Sequence, residues 1–383
     1  MTETAQPADL LEKPRLFYEK LKEPFVGRDE EALTIVLALL SGEHVIIIGE
    51  PGTAKSALAR RAALLLNAKF FKYLLTRFTE PSELFGPLDI NALRKGLYKR
   101  ITSNKLPDAE IAFLDEIFNA NSAILNSLLS ILQERVLYDG YSEIKVPLWS
   151  LVSASNRIPD EPELDALYDR LLFRHIVKPV PEELWEKLLD RSWMIEKGVF
   201  EDVKPVMSSS DLLSLNKLIF QVDLTSVKQS LLRLFAILED NGMHLTDRRK
   251  GKTLKAIAAY ALFNGRMKAR TEDLFVLKYI APRDAEDFDK INNILLEELR
   301  TPDKILVELD EIDHNVELIK KEVGRLKSFD PKLVEIYRSL KAARRRVAMI
   351  SRTSDDSRVT NKVDVLINKI DDLLDEVTNK LGM

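Results

Sequence analysis

The sequence has no cysteine, so neither a disulfide nor a thiolate metal site is available to it. That absence fits a reducing compartment, and the expected location is cytoplasmic. Histidine is scarce: His44, His175, His244 and His314 show no metal-ligand spacing, and the first two read as ordinary residues at strand starts. No apolar run approaches the roughly 20 residues that span a bilayer. Met1 to Leu10 lacks the basic-then-apolar layout of a signal peptide. A strong charge excess is missing as well; at a net −4, nothing global points to nucleic acid or to an anionic membrane. What is present is a chain of 383 residues, 45% hydrophobic and 31% charged, long enough for two or three domains with real cores.

The most informative stretch is His44 to Ser56. Val45 to Ile48 are four β-branched residues in a row, the run expected of a strand buried on both faces of a parallel sheet. Gly49-Glu50-Pro51-Gly52-Thr53-Ala54-Lys55-Ser56 follows GxxxxGK[ST] except that Ala54 stands before the lysine. Gly49 and Gly52 let the backbone N–H groups curl inward toward phosphate oxygens. The strong helix former from Ala57 to Leu66 points its positive end at them. Lys55 would reach the β- and γ-phosphates of ATP, and the Ser56 hydroxyl would hold Mg2+. Ala54 is expected to be harmless, because helix entry tolerates alanine. Just upstream, Phe25-Val26-Gly27-Arg28 reads either as a domain-entry loop or as apolar backbone laid against an adenine ring.

Further strands follow at 69–75, 111–116, 149–156 and 173–177. The third ends in Asp115-Glu116. At a strand's C-terminal end these carboxylates share the sheet edge of the phosphate loop. There Asp115 would complete the Mg2+ shell and Glu116 would activate a water. Asn156, ending the next strand, can hold that water. Residues 136–146 read as a hairpin about Asp139-Gly140, and Gly96 marks an inserted hairpin or loop near Arg94 to Arg100.

Strand, phosphate loop, strand, strand with Asp-Glu, hairpin, strand with Asn, and Asp-Arg before a last strand: this order resembles an AAA+ ATPase. The hairpin resembles a pre-sensor insertion and the break from Phe85 to Arg100 a helix-2 insertion, as in the MoxR branch. Gly49–Ser56, Glu83-Leu84-Phe85-Gly86-Pro87-Leu88, Ala109 to Ile117 and Leu164 to Arg170 are similar to the RavA-type subfamily, in which alanine before the lysine is usual. The resemblance covers residues 10–285 and implies an α/β fold: a five-stranded parallel AAA+ core, an α-helical lid and, beyond it, the helical coiled coil read below. It implies that Lys55 and Ser56 are Walker A, Asp115 and Glu116 Walker B, and Asn156 sensor 1. Val26 and Gly27 join Gly49, Glu50, Pro51, Gly52, Thr53, Ala54, Lys55 and Ser56 as nucleotide-binding residues. Arg170 matches an arginine finger acting in a neighbouring subunit, with Arg174 as the alternative. Arg248 matches sensor 2, with Arg249 as the alternative. A hexameric ring and a von Willebrand factor A domain partner protein are implied by resemblance alone. Arg94, Lys95, Tyr98 and the hairpin tip at Asp139 and Gly140 are expected to face a pore and a protein client.

Residues from Pro181 to Arg283 have helical periodicity and no strand pattern. Past a boundary at Arg300-Thr301-Pro302-Asp303, apolar residues alternate spacings of four and three from Ile305 to Leu326, Leu333 to Ile350 and Val363 to Val377. Short connections favour antiparallel neighbours, hence an antiparallel helical coiled-coil bundle. Arg344-Arg345-Arg346 on its polar face is expected to be solvated. The expected domains are therefore 1–180, nucleotide binding; 181–300, lid; and 301–383, coiled coil. The leading expectation is a Mg-ATP-hydrolysing, chaperone-like remodeller of protein complexes. The alternatives are a nucleic-acid-remodelling motor, hinted at only by Arg94 to Arg100, and a nucleotide-gated scaffold without turnover.

Overall fold

The β-branched run forms β1 (Val45–Ile48), and all four of its residues are buried. In the computed structural model, which describes residues 7–139, 142–299, 302–351 and 356–382, it lies inside a parallel sheet. The other strands are β2 (Phe70–Leu74), β3 (Ile111–Asp115), β4 (Val136–Asp139), β5 (Ser142–Lys145), β6 (Ser150–Ser155) and β7 (Phe173–Ile176). The five-stranded sheet runs β2-β3-β6-β1-β7, with every pair parallel. β6 carries three serines yet is wholly buried. Its hydroxyls explain this: Ser150 donates to the Glu43 carbonyl at 2.7 Å and Ser153 to the Val45 carbonyl at 3.0 Å.

Both faces of the sheet are covered, as parallel sheets require. Ile46, Leu114 and Leu151 pack with Ile124, Leu128 and Leu132 of the helix Ser122–Glu134 and with Leu167 and Tyr168 of the helix Pro162–Arg170. The helices Asp29–Ser41 and Lys55–Leu66 are likewise largely buried and lie against β1, β3, β6 and β7. Because all five strands point the same way, their C-terminal ends form one edge: Ile48 is level with Ser155 and Leu74 with Asp115.

Two insertions depart from this plan. After β2 the helix breaks into Pro81–Phe85 and Ile90–Leu93. Gly86 makes the break, since a Cβ there would lie 2.0 Å from the Ile101 carbonyl oxygen. The Ile101 N–H donates to the Pro87 carbonyl at 2.9 Å and the Asp89 N–H to Lys99 at 2.8 Å, closing the expected inserted loop. β4 and β5 form the expected antiparallel hairpin, with Asp139 opposite Ser142; its turn residue Gly140 lies outside the described residues. The expectation that Asp139 faces a pore is overturned. Asp139 is 4% exposed and accepts from Arg100 Nε at 2.9 Å, because an unpaired carboxylate at that depth would be costly.

A helix runs from Pro7 to Lys22 and buries Phe17 and Leu21; its first turn needs no N–H from Pro7. Beyond β7 the segment is helical as expected, with Ser209–Ile219, Lys228–Asp240 and Asp247–Phe263 as its main helices. This first compact unit ends at Leu295.

The second unit begins at Leu296 and contains the helices Pro302–Arg325, Lys332–Ser351 and Ser357–Leu381. Arg300 and Thr301 of the expected boundary lie outside the described residues. The apolar seams meet in one core that includes Ile305, Leu309, Leu340, Val347, Val363 and Ile370. Ion pairs and the short connections, with the Phe329 N–H donating to the Lys380 carbonyl at 3.0 Å, set the direction of the helices. Arg346 meets Glu308 and Arg344 meets Asp371, so the middle helix is antiparallel to both others, while Lys362 and Lys369 meet Asp310 and Asp313 in parallel order. Arg344 and Arg346 are thus paired across the bundle surface rather than simply solvated. Among the described residues no helix is long and apolar enough to cross a membrane.

Candidate functional site

The loop Gly49–Ala54 leaves β1 at the sheet edge and enters the helix Lys55–Leu66. The Gly49 N–H is held by the Ser155 carbonyl at 2.9 Å, which ties the loop to the end of β6. Gly52 and Ala54 both have positive φ, 82° and 65°. Ala54 is therefore not an ordinary helix-entry residue, as expected from the sequence; it sits in left-handed backbone that an L-residue enters at a cost of about 1–2 kcal/mol. The motif's usual glycine relieves that strain; here the surrounding loop holds it.

Lys55 folds back over the loop. Its Nζ donates to the Gly49 carbonyl at 2.6 Å, the Glu50 carbonyl at 2.8 Å and the Thr53 hydroxyl at 3.4 Å. All three are acceptors that phosphate oxygens can replace. Burial pulls the ammonium below its ordinary pKa; Asp115 and Glu116 oppose this, and the nearby Arg28 adds to it. The phosphate-loop lysine and the paired carboxylates therefore share one electrostatic environment. Ser56 is half-buried one residue on, and Glu50 and Pro51 are exposed.

Asp115 ends β3, and its Oδ1 accepts the Glu116 N–H at 3.1 Å. Glu116 has φ 51°, left-handed backbone at the residue read as the water activator. Asn156 is exposed immediately after β6. Its neighbour Arg157 is held above its ordinary pKa chiefly by Glu161, with Glu116 among the anions in range. Ser56 and Asp115 offer a hydroxyl and a carboxylate, hard oxygen donors and few of them. This set fits Mg2+, which keeps most of its shell as water and phosphate oxygen.

Val26 is buried and Gly27 lies 3.5 Å from Val180 at the position of an added Cβ. Arg28, absent from the sequence-based site, is buried here and donates to the carbonyls of Gly27 and Lys178 and to Glu31. It fixes the Val26–Gly27 backbone and places a cation near Lys55. Its only signal in the sequence was its place in Phe-Val-Gly-Arg.

The arginines form a second cluster. Arg170 Nη2 donates to Gln133 Oε1 at 2.7 Å and Arg248 Nη2 to the same oxygen at 3.4 Å. Arg248 Nη1 also reaches Asp169 Oδ2 at 3.1 Å. Burial lowers the pKa of Arg170, and the Arg248 cation lowers it further. The two alternatives are spent elsewhere. Arg174 is buried, lies 3.7 Å over the Tyr168 ring and donates to the Pro282 and Tyr168 carbonyls. Arg249 is buried too and donates to the carbonyls of Asp169, Leu171, Leu172 and Ile280. Neither can leave without breaking the packing of the lid on the sheet. Nothing in the sequence marked Gln133.

A family model described as the MoxR domain in the MoxR-vWA-beta-propeller ternary systems matches residues 12–217, and one described as an AAA lid domain matches 222–295. Two uncharacterized proteins of Methanocaldococcus jannaschii are 41% identical over 74% of this chain and 74% of their own length, and 35% identical over 97% and 100%. Chaperone MoxR1 of Mycobacterium tuberculosis is 29% identical over 52% of each chain. A Cytophaga hutchinsonii protein provisionally named an ATPase has a crystal structure that superposes with a TM-score of 0.61 at 19% identity, covering 76% of this chain and 97% of its own; that likeness is one of fold. With its sheet order, phosphate loop and lid matched over this much of its length, the chain belongs to the MoxR family of AAA+ ATPases.

Proposed function

We propose that this protein hydrolyses Mg-ATP and uses the energy to remodel protein complexes, working as a hexameric ring in the cytoplasm. The observation that carries the reading is the placement of the phosphate loop after β1 and of Asp115 and Glu116 at the end of β3, on one C-terminal edge of the parallel sheet. Val26 and Gly27 would take the adenine, and residues 49–56 the phosphates. Ser56 and Asp115 would hold Mg2+, which neutralises phosphate charge when bound. Lys55 exchanges its loop carbonyls for phosphate oxygens. Glu116 accepts a proton from the attacking water, and Asn156 orients that water.

Arg170 and Arg248 belong to a different cluster from Lys55, joined through Gln133 and Asp169. We assign both to the nucleotide of a neighbouring protomer, Arg170 as finger and Arg248 as sensor 2. A ring supplies each site with that neighbour. Residues 1–180 and 181–300 would clamp and release the nucleotide, and 301–383 would form an adaptor surface. Exposed Ile90, Leu93, Leu97 and Tyr98, beside Arg94 and Lys95, give the helix-2 insertion an apolar and basic face suited to a protein client. The description of the matching family model supports a von Willebrand factor A domain protein as partner.

The test is recovery of bound molecules on the Glu116→Gln protein in ATP, with hydrolysis measured alongside. The expected result is trapped ATP, lost turnover and captured protein. Unchanged turnover would remove Glu116 from its role, and capture of nucleic acid in place of protein would overturn the remodelling reading.

A further inference from the structure

One oxygen connects the two arginines. Gln133 Oε1 accepts from Arg170 at 2.7 Å and from Arg248 at 3.4 Å. Two guanidinium groups this close repel, and Arg248 is among the charges that lower the pKa of Arg170. Three contacts offset the repulsion. The Ala166 carbonyl accepts from Arg170 Nη1 at 2.8 Å, Asp169 Oδ2 accepts from Arg248, and Gln133 bridges the two. The bridge is a neutral carboxamide. A second carboxylate beside Asp169 would leave the pair no net positive charge for phosphate, and an aliphatic side chain would let the guanidinium groups separate. Gln133 is exposed, so packing does not explain it.

Its position adds a second argument. Gln133 lies near the end of the helix Ser122–Glu134, whose N-cap Asn121 follows Glu116 by one short turn, Ile117–Asn119. Thirteen residues at about 1.5 Å each make a rod about 20 Å long between the protomer's own water-activating carboxylate and its arginine pair. Asn121 anchors the near end, with its Nδ2 donating to the Thr79 carbonyl at 2.8 Å.

We propose that Gln133 is a positioning residue that holds Arg170 and Arg248 as one two-pronged anion clamp for the neighbouring protomer's ATP. This rests on the assignment of both arginines to the neighbour's site. Gln133 touches no nucleotide itself; it sets the spacing of the prongs without reducing their charge.

The test uses full-length protein and steady-state ATP hydrolysis with Gln133→Leu, Gln133→Glu, Arg170→Ala and Glu116→Gln. Gln133→Leu should lower kcat by about 10²-fold, the scale of a small misplacement of a reacting group. KM should change little, since Lys55 and its loop are intact. Gln133→Glu should fall similarly, by neutralising the clamp. The decisive measurement is mixing. Gln133→Leu protomers keep a sound site but offer a poor clamp; Glu116→Gln protomers offer a sound clamp but a dead site. A one-to-one mixture should recover about a quarter of the wild-type rate, the share of sites with a sound carboxylate and a sound clamp next door. Full kcat in Gln133→Leu would overturn the proposal. So would a lowered kcat without recovery on mixing, since the defect would then lie within the protomer's own fold. Full hydrolysis by Arg170→Ala would instead sink the assignment of the arginines to a neighbour's site.

Discussion

Arg100 Nε donates to Asp139 Oδ1 at 2.9 Å, and this pair joins the helix-2 insertion to the β4–β5 hairpin. The same guanidinium reaches the Gly86 carbonyl through Nη1 at 3.0 Å. Two insertions separate in sequence are therefore tied to each other through one guanidinium.

Arg100→Ala should leave a buried carboxylate unpaired and destabilise this region by about 3–5 kcal/mol. Limited proteolysis should then cut between residues 87 and 101 faster than in the parent. Adding Asp139→Asn should recover much of the loss. Equal cleavage in the parent and Arg100→Ala would show that the pair does not hold the insertions together.

Ala54 at φ 65° predicts a gain from glycine. Ala54→Gly should raise stability by about 0.5–1 kcal/mol, the strain relieved less the added freedom of the unfolded chain. Ala54→Val should lower it, because β-branching worsens left-handed backbone. Thermal denaturation without nucleotide reads both; a lower midpoint for Ala54→Gly would contradict the strain.

The two lid arginines should separate cleanly. Arg249→Ala removes a buried cation from four backbone carbonyls, and should cost about 3–5 kcal/mol and the fold at moderate temperature. Arg248→Ala should keep its thermal midpoint and lose hydrolysis. A stable Arg249→Ala protein with no turnover would reverse the assignment.

His44 gives a pH prediction. Burial holds its pKa well below 6.5, and the Arg135 cation pushes the same way. Its Nδ1 accepts the Leu151 N–H at 3.0 Å, while Nε2 meets the Leu132 carbonyl at 3.0 Å. The folded state therefore keeps the ring neutral where the unfolded chain would protonate it. The stabilising contribution is full above pH 6.5 and shrinks as pH falls below it toward the depressed folded pKa. The slope from this group approaches about 1.4 kcal/mol per pH unit. Denaturation of wild type and His44→Gln between pH 8 and 5 should show that component vanish in the variant; identical slopes would exclude it.

Much of this was legible in the sequence because the signals are local. β-branched runs give buried strands, a Gly-rich turn before a helix gives an anion site, and four-three spacing gives the seams from Ile305 to Val377, all of which reach the core of the second unit. Asp139 was misread because Asp-Gly marks a turn whether or not its carboxylate meets a partner. That partner, Arg100, is 39 residues away. Arg28 and Gln133 carry no local signal for the same reason, since their roles depend on what the chain brings beside them.

The sequence by itself determined that a phosphate loop and an Asp-Glu pair would share one sheet edge, because parallel strands align their C-terminal ends. It could not choose among Arg170, Arg174, Arg248 and Arg249, which look alike as letters. The tertiary structure separates them by burial and by acceptors. Arg174 and Arg249 are enclosed and tied to backbone carbonyls, while Arg170 and Arg248 meet at Gln133 with part of their surface open. A buried guanidinium bound to carbonyls is too costly to withdraw, whereas a partly exposed one can exchange a carboxamide for a phosphate.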